Sequence, residues 1–232
     1  MMLNKMMLST GMAALMAMTS TIAGAATVPF TESFDTGVVN WTDSSNLPLT
    51  FQASGGADGG GYASTTFDYS TFSSPFGGGP IVARANGANN PSGGAFTGDW
   101  IADGVLSLTA SVRHDSAVPL GFSARLAPAL NTPGTNLISF APVPGGAWTE
   151  LTFNVTVAPG LCVFERPGGC TLAGFQDVVN VQFATDAPAG AGLVTLDFDL
   201  VSLNPVPEPG TALLMGLGLA GLSRAGRKEK RA

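Results

Sequence analysis

Between residues 26 and 206, apolar and polar residues repeatedly alternate with a period of two. Leu106, Leu108, Ala110 and Val112 fall on one face, with Ser107, Thr109 and Ser111 on the other. Leu120, Phe122, Ala124 and Leu126 repeat the pattern against Gly121, Ser123 and Arg125. Such alternation gives a strand one face for a core and one for solvent. The two segments predict a hairpin turned by Asp115 to Pro119. Further faces are Leu151, Phe153, Val155 and Val157, then Val179, Val181 and Phe183, then Val194, Leu196, Phe198 and Leu200. Shorter strands are expected at 30–34, 47–53, 62–67, 81–83 and 137–140, and no helical periodicity competes with them. Stretches 86–94, 127–135 and 141–146 are rich in Gly, Pro and Asn and read as loops. About ten short strands with such connections predict an all-β fold, two antiparallel sheets packed as a β-sandwich.

The two ends break this pattern. Lys5 precedes an apolar stretch, Met6 to Met18, and Ile22-Ala23-Gly24-Ala25 supplies an Ala-x-Ala site. Residues 1–25 therefore read as an export signal peptide cleaved after Ala25. The sandwich is expected over 26–205, and a tail over 206–232. That tail opens with Pro207, Glu208 and Pro209, whose prolines stop a helix from running in from the domain. A short hydrophobic membrane helix is expected at 211–223 and a basic end at 224–231, which places the C-terminus in the cytoplasm by the positive-inside rule. Gly216-Leu217-Gly218-Leu219-Ala220-Gly221 spells a dinucleotide-type glycine pattern, but no strand precedes it. Small residues packing in a membrane helix explain it better.

The Pro207-Glu208-Pro209 signature, the apolar run and the basic end together resemble the PEP-CTERM sorting signal of bacteria that make extracellular polysaccharide. The resemblance implies export, a hold on the inner membrane through the tail, and processing by an exosortase. It locates the protein in the cell envelope or the extracellular matrix. It says nothing of what the domain does there.

Composition narrows the partners. The span 26–206 has four arginines (Arg84, Arg113, Arg125 and Arg166), no lysine and fourteen acidic residues, a formal charge of −10. Such a domain cannot neutralise a run of phosphates, so nucleic acid is excluded as a partner. The two cysteines, Cys162 and Cys170, flank Pro167-Gly168-Gly169. In an oxidising compartment they are expected to form a disulfide across that loop.

A second resemblance covers the ends and middle of the domain. Phe30-Thr31-Glu32-Ser33-Phe34-Asp35 with Trp41-Thr42 is similar to the first strand of jelly-roll carbohydrate-binding-like modules. Gly145-Gly146-Ala147-Trp148-Thr149-Glu150-Leu151 and Leu196-Asp197-Phe198-Asp199-Leu200 are similar to a middle and a closing strand of such modules, and Phe96-Thr97-Gly98-Asp99-Trp100 to galactose-binding-like sandwiches. The resemblance implies a structural calcium between first-strand and last-strand acids, here Glu32, Asp35, Asp197 and Asp199. It also implies a sugar platform on an exposed aromatic. Trp148 falls on the outward phase of its strand, with Trp41, Trp100 and Tyr62 as loop-adjacent alternatives.

Catalysis has little to work with. The single histidine, His114, sits on the core-facing phase at a strand end, no serine lies in a G-x-S-x-G elbow, and lysine is missing from the domain. Only a carboxylate pair such as Asp99 with Asp103, or Glu150 with Glu165, would serve a glycosidase. The expectation is an exported, exosortase-sorted envelope or matrix protein with a non-catalytic structural or adhesive role and weak glycan binding. The alternative is a carbohydrate-active enzyme, a glycoside hydrolase or lyase, on the same fold.

Overall fold

The alternating segments fold, in the computed structural model, as strands of two antiparallel sheets. The structure describes residues 24–206 apart from 71, 73–78, 187 and 189. The leader up to residue 23, the Pro207-Glu208-Pro209 motif and the tail helix and basic end at 211–231 lie outside the described residues. Among the described residues no helix is long and apolar enough to cross a membrane.

The strands in chain order are β1 Phe30–Glu32, β2 Thr50–Gln52, β3 Tyr62–Asp68, β4 Ile81–Asn86, β5 Val105–His114, β6 Leu120–Ala127, β7 Thr135–Val143, β8 Thr149–Asn154, β9 Cys162–Phe164, β10 Asn180–Thr185 and β11 Leu193–Pro205. One sheet runs β2-β3-β11-β5-β8, with β1 also paired to β11. The other runs β4-β10-β6-β7-β9. The loop expected at 86–94 holds two short 3-10 turns, Gly87–Asn89 and Pro91–Gly94, and a third lies at Leu172–Phe175.

The inner faces meet over aromatic rings. Trp41 stacks on Phe183, and Phe183 on Phe198, at centroid distances of 6.1 and 5.4 Å. Phe34 and Phe96 meet Trp41 edge-on. Side chains of this kind each contribute roughly 1.5–3 kcal/mol when fully buried, so this cluster ties the two sheets to each other.

Two details of the alternation turn out differently. β5 and β6 are not a hairpin: β5 lies between β11 and β8, while β6 lies between β10 and β7 in the opposite sheet. Period-two patterning specifies a buried face equally well for neighbours in one sheet and for partners facing each other across the core. The crossing after His114 is fixed by Asp115 N–H donating to the Thr195 carbonyl and by Thr195 N–H donating to Asp115 Oδ1. Leu106, expected inside, is 42% exposed. A register shift between Asn204 and Pro205 of β11 makes Val105, rather than Leu106, the next core residue beyond Leu108. Val157 likewise lies past the end of β8 and is exposed.

β11 organises the first sheet. Its Leu193–Phe198 stretch pairs with β3, and its Val201–Leu203 stretch with β1. Leu200 takes a left-handed φ of 47° between them, and the ladder with β5 skips a residue there. A bulge of this kind bends the strand and re-aims neighbouring side chains.

Candidate functional site

The outer face of the first sheet carries a row set by register, Ser64–Asp197–Arg113. Asp197 Oδ1 accepts from Ser64 Oγ at 2.7 Å. Its Oδ2 accepts from Arg113 Nε at 2.9 Å and lies 2.8 Å from Nη2. So held, the Arg113 guanidinium packs against two rings, 5.0 Å from the Tyr62 centroid and 4.5 Å from that of Trp148. Trp148 meets Tyr62 edge-on and donates from Nε1 to the Gly55 carbonyl at 3.0 Å. Trp148 is therefore outward-facing as its strand phase predicts, half-buried and pinned. Cation–π contacts and a satisfied indole N–H fix its ring before any ligand arrives.

Beside this stack lies an open cavity of about 360 Å³, lined by Arg113, His114, Asp115, Gly146, Thr195 and Asp197. Its volume falls within the range of small-ligand clefts. His114 is a wall rather than a base. Its Nδ1 accepts from Ser116 N–H at 3.2 Å, which leaves Nε2 to donate to the Val143 carbonyl at 2.9 Å.

Trp41 and Trp100, the other expected platforms, are fully buried. Trp41 Nε1 donates to Ser92 Oγ and Trp100 Nε1 to the Phe96 carbonyl, each at 2.9 Å. Both are core residues, because large rings next to short loops pack under them, and neither offers a face to a ligand.

The four carboxylates expected around a calcium ion do not form one shell. Asp197 is taken by Arg113 and Ser64, and Glu32 Oε1 accepts from Phe34 N–H at 3.0 Å. Asp35 and Asp199 do share one neighbourhood, under the loop that joins β2 to β3. Asp35 Oδ1 accepts from Gly61 N–H, and Asp199 Oδ2 from Ala57 N–H. That loop comes so close that a Cβ on Gly60 would stand 2.1 Å from Asp35 Oδ1, and one on Gly56 2.6 Å from Asp199 Oδ2. Asp199 is fully buried. Burial, with Asp58 and Asp35 adding like charge, pushes its carboxyl above the ordinary range, while Ser33 and the Gly61 N–H hold Asp35 below it. Among the described residues no three Asp, Glu, His or Cys side chains gather closely enough to hold a metal.

The remaining sequence candidates lie apart from this cavity. Cys162 and Cys170 form the expected disulfide. Asp99 Oδ1 caps the N–H groups of Ile101 and Ala102, while Asp103 Oδ2 accepts from Ala26 N–H. Glu165 holds Arg125, whereas Glu150 lies on β8 in the opposite sheet. None of these four acids lines the cavity.

A protein-sorting model fits the tail over residues 205–228. The chain carries a PEP-CTERM protein-sorting motif. That motif marks the protein for export and sorting and implies processing by an exosortase. No curated protein matches the chain. Among solved structures, the chain is similar to the CBM22-1 xylan-binding domain from Paenibacillus barcinonensis Xyn10C, with a TM-score of 0.43 and 11% identity over 79% of this chain and 100% of that one. It is also similar to the family 11 carbohydrate-binding module from Clostridium thermocellum in complex with a β-1,3-1,4-mixed-linked tetrasaccharide. There the TM-score is 0.43, with 12% identity over 81% of this chain and 99% of that one.

Sequence reasoning named Trp148 and Tyr62 but missed Arg113, the residue that joins them to Asp197. The register Asp197↔Arg113, visible only once β11 and β5 are known to be neighbours, is what brings the pieces together.

Proposed function

We propose that this PEP-CTERM protein is a non-catalytic structural or adhesive component of the cell envelope or extracellular matrix that binds polysaccharide through the face around Trp148. The observation that carries the reading is the pinned Trp148 ring beside an open cavity bordered by Arg113, Asp115, Thr195 and Asp197. An immobilised aromatic loses little side-chain freedom on stacking a sugar ring, and the carboxylates and hydroxyl beside it suit sugar hydroxyls. One such cavity with mostly satisfied polar groups favours weak affinity. The tail would hold the chain in the inner membrane until an exosortase acts on it, with exopolysaccharide as the partner beyond.

A calcium ion on Asp35 and Asp199, completed by loop carbonyls, belongs to the same proposal. It would supply positive charge where a fully buried carboxylate has none. Only those two of the four expected acids suit such a site.

Affinity electrophoresis of the mature chain through gels carrying dissolved polysaccharides tests the reading. Retardation by at least one polysaccharide, with the polymer's chain length unchanged after prolonged incubation, supports it. Shortened polymer would favour an enzyme, and mobility unaffected by every polysaccharide would leave a purely structural protein.

A further inference from the structure

Antiparallel pairing gathers the start of β5, the end of β8 and the end of β11 at one end of the first sheet. Pro205 of β11 pairs with Val105 of β5, and Val206 N–H donates to the Gly104 carbonyl at 2.8 Å. On the other side of β5, Val155 N–H donates to the Leu106 carbonyl at 2.9 Å. These bonds bring Leu106, Val157 and Val206 to the same end of the sandwich, and all three are exposed. Ile101, whose carbonyl accepts from Gly104 N–H, and Val155 are half-buried there. Asp99 and Asp103, the acids of the turn before β5, are both occupied by backbone N–H groups.

The chain leaves the sandwich at this end. Four residues, Pro207 to Gly210, separate Val206 from the run at 211–223. Four residues reach at most about 14 Å even when fully extended. With that run in the inner membrane, Val206 stays within one such length of the bilayer, and Leu106 and Val157 stay beside it. So short a tether keeps lipid at a high local concentration, and weak apolar contacts then suffice to hold one surface against it. The opposite end of the sheet is far away. β5 runs ten residues from Val105 to His114, about 30 Å at the rise of a strand. That far end carries Arg113, Trp148 and the cavity, as well as Leu193, the exposed first residue of β11.

We propose that the end carrying Leu106, Val157 and Val206 is a seating surface that rests on the outer face of the bilayer holding the tail, with the Trp148 face turned away from it. Neighbouring exposed apolar side chains mark contact sites, and here the chain itself brings the partner, lipid, within reach. A domain with four arginines, no lysine and fourteen acids gains nothing from anionic headgroups. The contact therefore comes from removing apolar side chains from water, which needs no lipid charge. Seating this end fixes the orientation of the sandwich and leaves the cavity about 30 Å out from the membrane. The inference rests on the membrane reading of the tail, and not on the glycan-binding reading.

Methyl nuclear magnetic resonance of the chain from Ala26 to Ala232 in phosphatidylcholine nanodiscs tests it, with a nitroxide on the headgroup of a minor share of the lipid. The methyl signals of Leu106, Val157 and Val206 should lose most of their intensity, while that of Leu193 keeps it. The pattern should persist when a flexible Gly-Ser insert of about ten residues, adding roughly 17 Å of reach, follows Val206. In that lengthened chain, Leu106→Ser together with Val157→Ser should restore the Val206 signal. The comparison of Leu106 with Leu193 uses unaltered side chains, so it stands even if the double variant fails to fold. Equal loss at Leu106 and Leu193, or a loss at Leu106 that disappears with the insert, would overturn the seating while leaving the tail in the membrane. A chain that does not enter the nanodiscs would overturn the seating together with the membrane reading of the tail.

Discussion

The guanidinium carbon of Arg113 lies 4.5 Å from the centroid of the Trp148 ring while its Nε donates to Asp197 at 2.9 Å. Arg113 thereby does two things, neutralising a nearly buried carboxylate and supporting the ring proposed to meet sugar. Arg113→Ala should destabilise the domain by about 2 kcal/mol, less than a fully buried pair because the arginine is partly exposed. It should also broaden the Trp148 indole N–H signal in a nuclear magnetic resonance spectrum. A variant as stable as wild type, with a sharp indole resonance, would show that the stack is incidental.

The start of the domain is anchored before its first strand. Ala26 is buried and its nitrogen lies 2.7 Å from Asp103 Oδ2. If the leader is cut after Ala25, that nitrogen becomes an ammonium facing a carboxylate. N-terminal sequencing of the exported protein should read Ala26 first, and Asp103→Asn should lower stability by about 1 kcal/mol. A mature chain that begins elsewhere, with Asp103→Asn neutral, would contradict the pairing.

Stability should fall in acid through Glu165. The Arg125 hydrogen bonds hold its carboxyl below the ordinary value of 4.5, outweighing burial, and the Gly134 N–H adds to them. A lowered folded-state pKa means that the contribution is present in full above 4.5 and is lost as the pH falls through the lower folded value. Glu165→Gln should therefore lower the melting temperature at pH 7 by an amount matching roughly 1 kcal/mol, discounted for exposure, and the gap should narrow toward pH 3. A gap that stays constant with pH would assign the loss to packing alone.

What the sequence made legible follows from what alternation encodes. It located the faces of β5, β6, β8, β10 and β11 and the sandwich they form. It did not reveal which strands are neighbours, because the same face serves for pairing side by side and for packing across the core. The hairpin at Asp115 to Pro119 therefore came out as a crossing between sheets, and Leu106 turned outward at a shift that depends on Pro205 of a distant strand. Trp148 was legible from strand phase. Arg113 was not, since its role depends on a cross-strand partner on a distant strand, Asp197.

Calcium provides a separate test of the β2–β3 loop. Asp199 is buried and carries like-charged neighbours, so a divalent ion shared with Asp35 should stabilise the fold. A ligand bound only by the folded state adds about 2.7 kcal/mol at a hundredfold excess over its Kd. Melting temperature should rise between chelator and millimolar calcium, with no comparable response to magnesium, and Asp35→Ala should remove the rise. Identical melting curves in chelator and calcium would leave Asp35 and Asp199 as loop-capping acids only.

Intrinsic fluorescence shows whether the Trp148 face meets polysaccharide. Of the three tryptophans, Trp41 and Trp100 are fully buried, so a ligand-induced change reports on Trp148. Titration with a polysaccharide that retards the protein in gels should shift or quench the emission saturably. Trp148→Ala should abolish that signal and weaken binding about tenfold or more, as removal of a stacking aromatic would, while the melting temperature stays within a few degrees of wild type. Retained affinity in a folded Trp148→Ala protein would move glycan recognition away from this face.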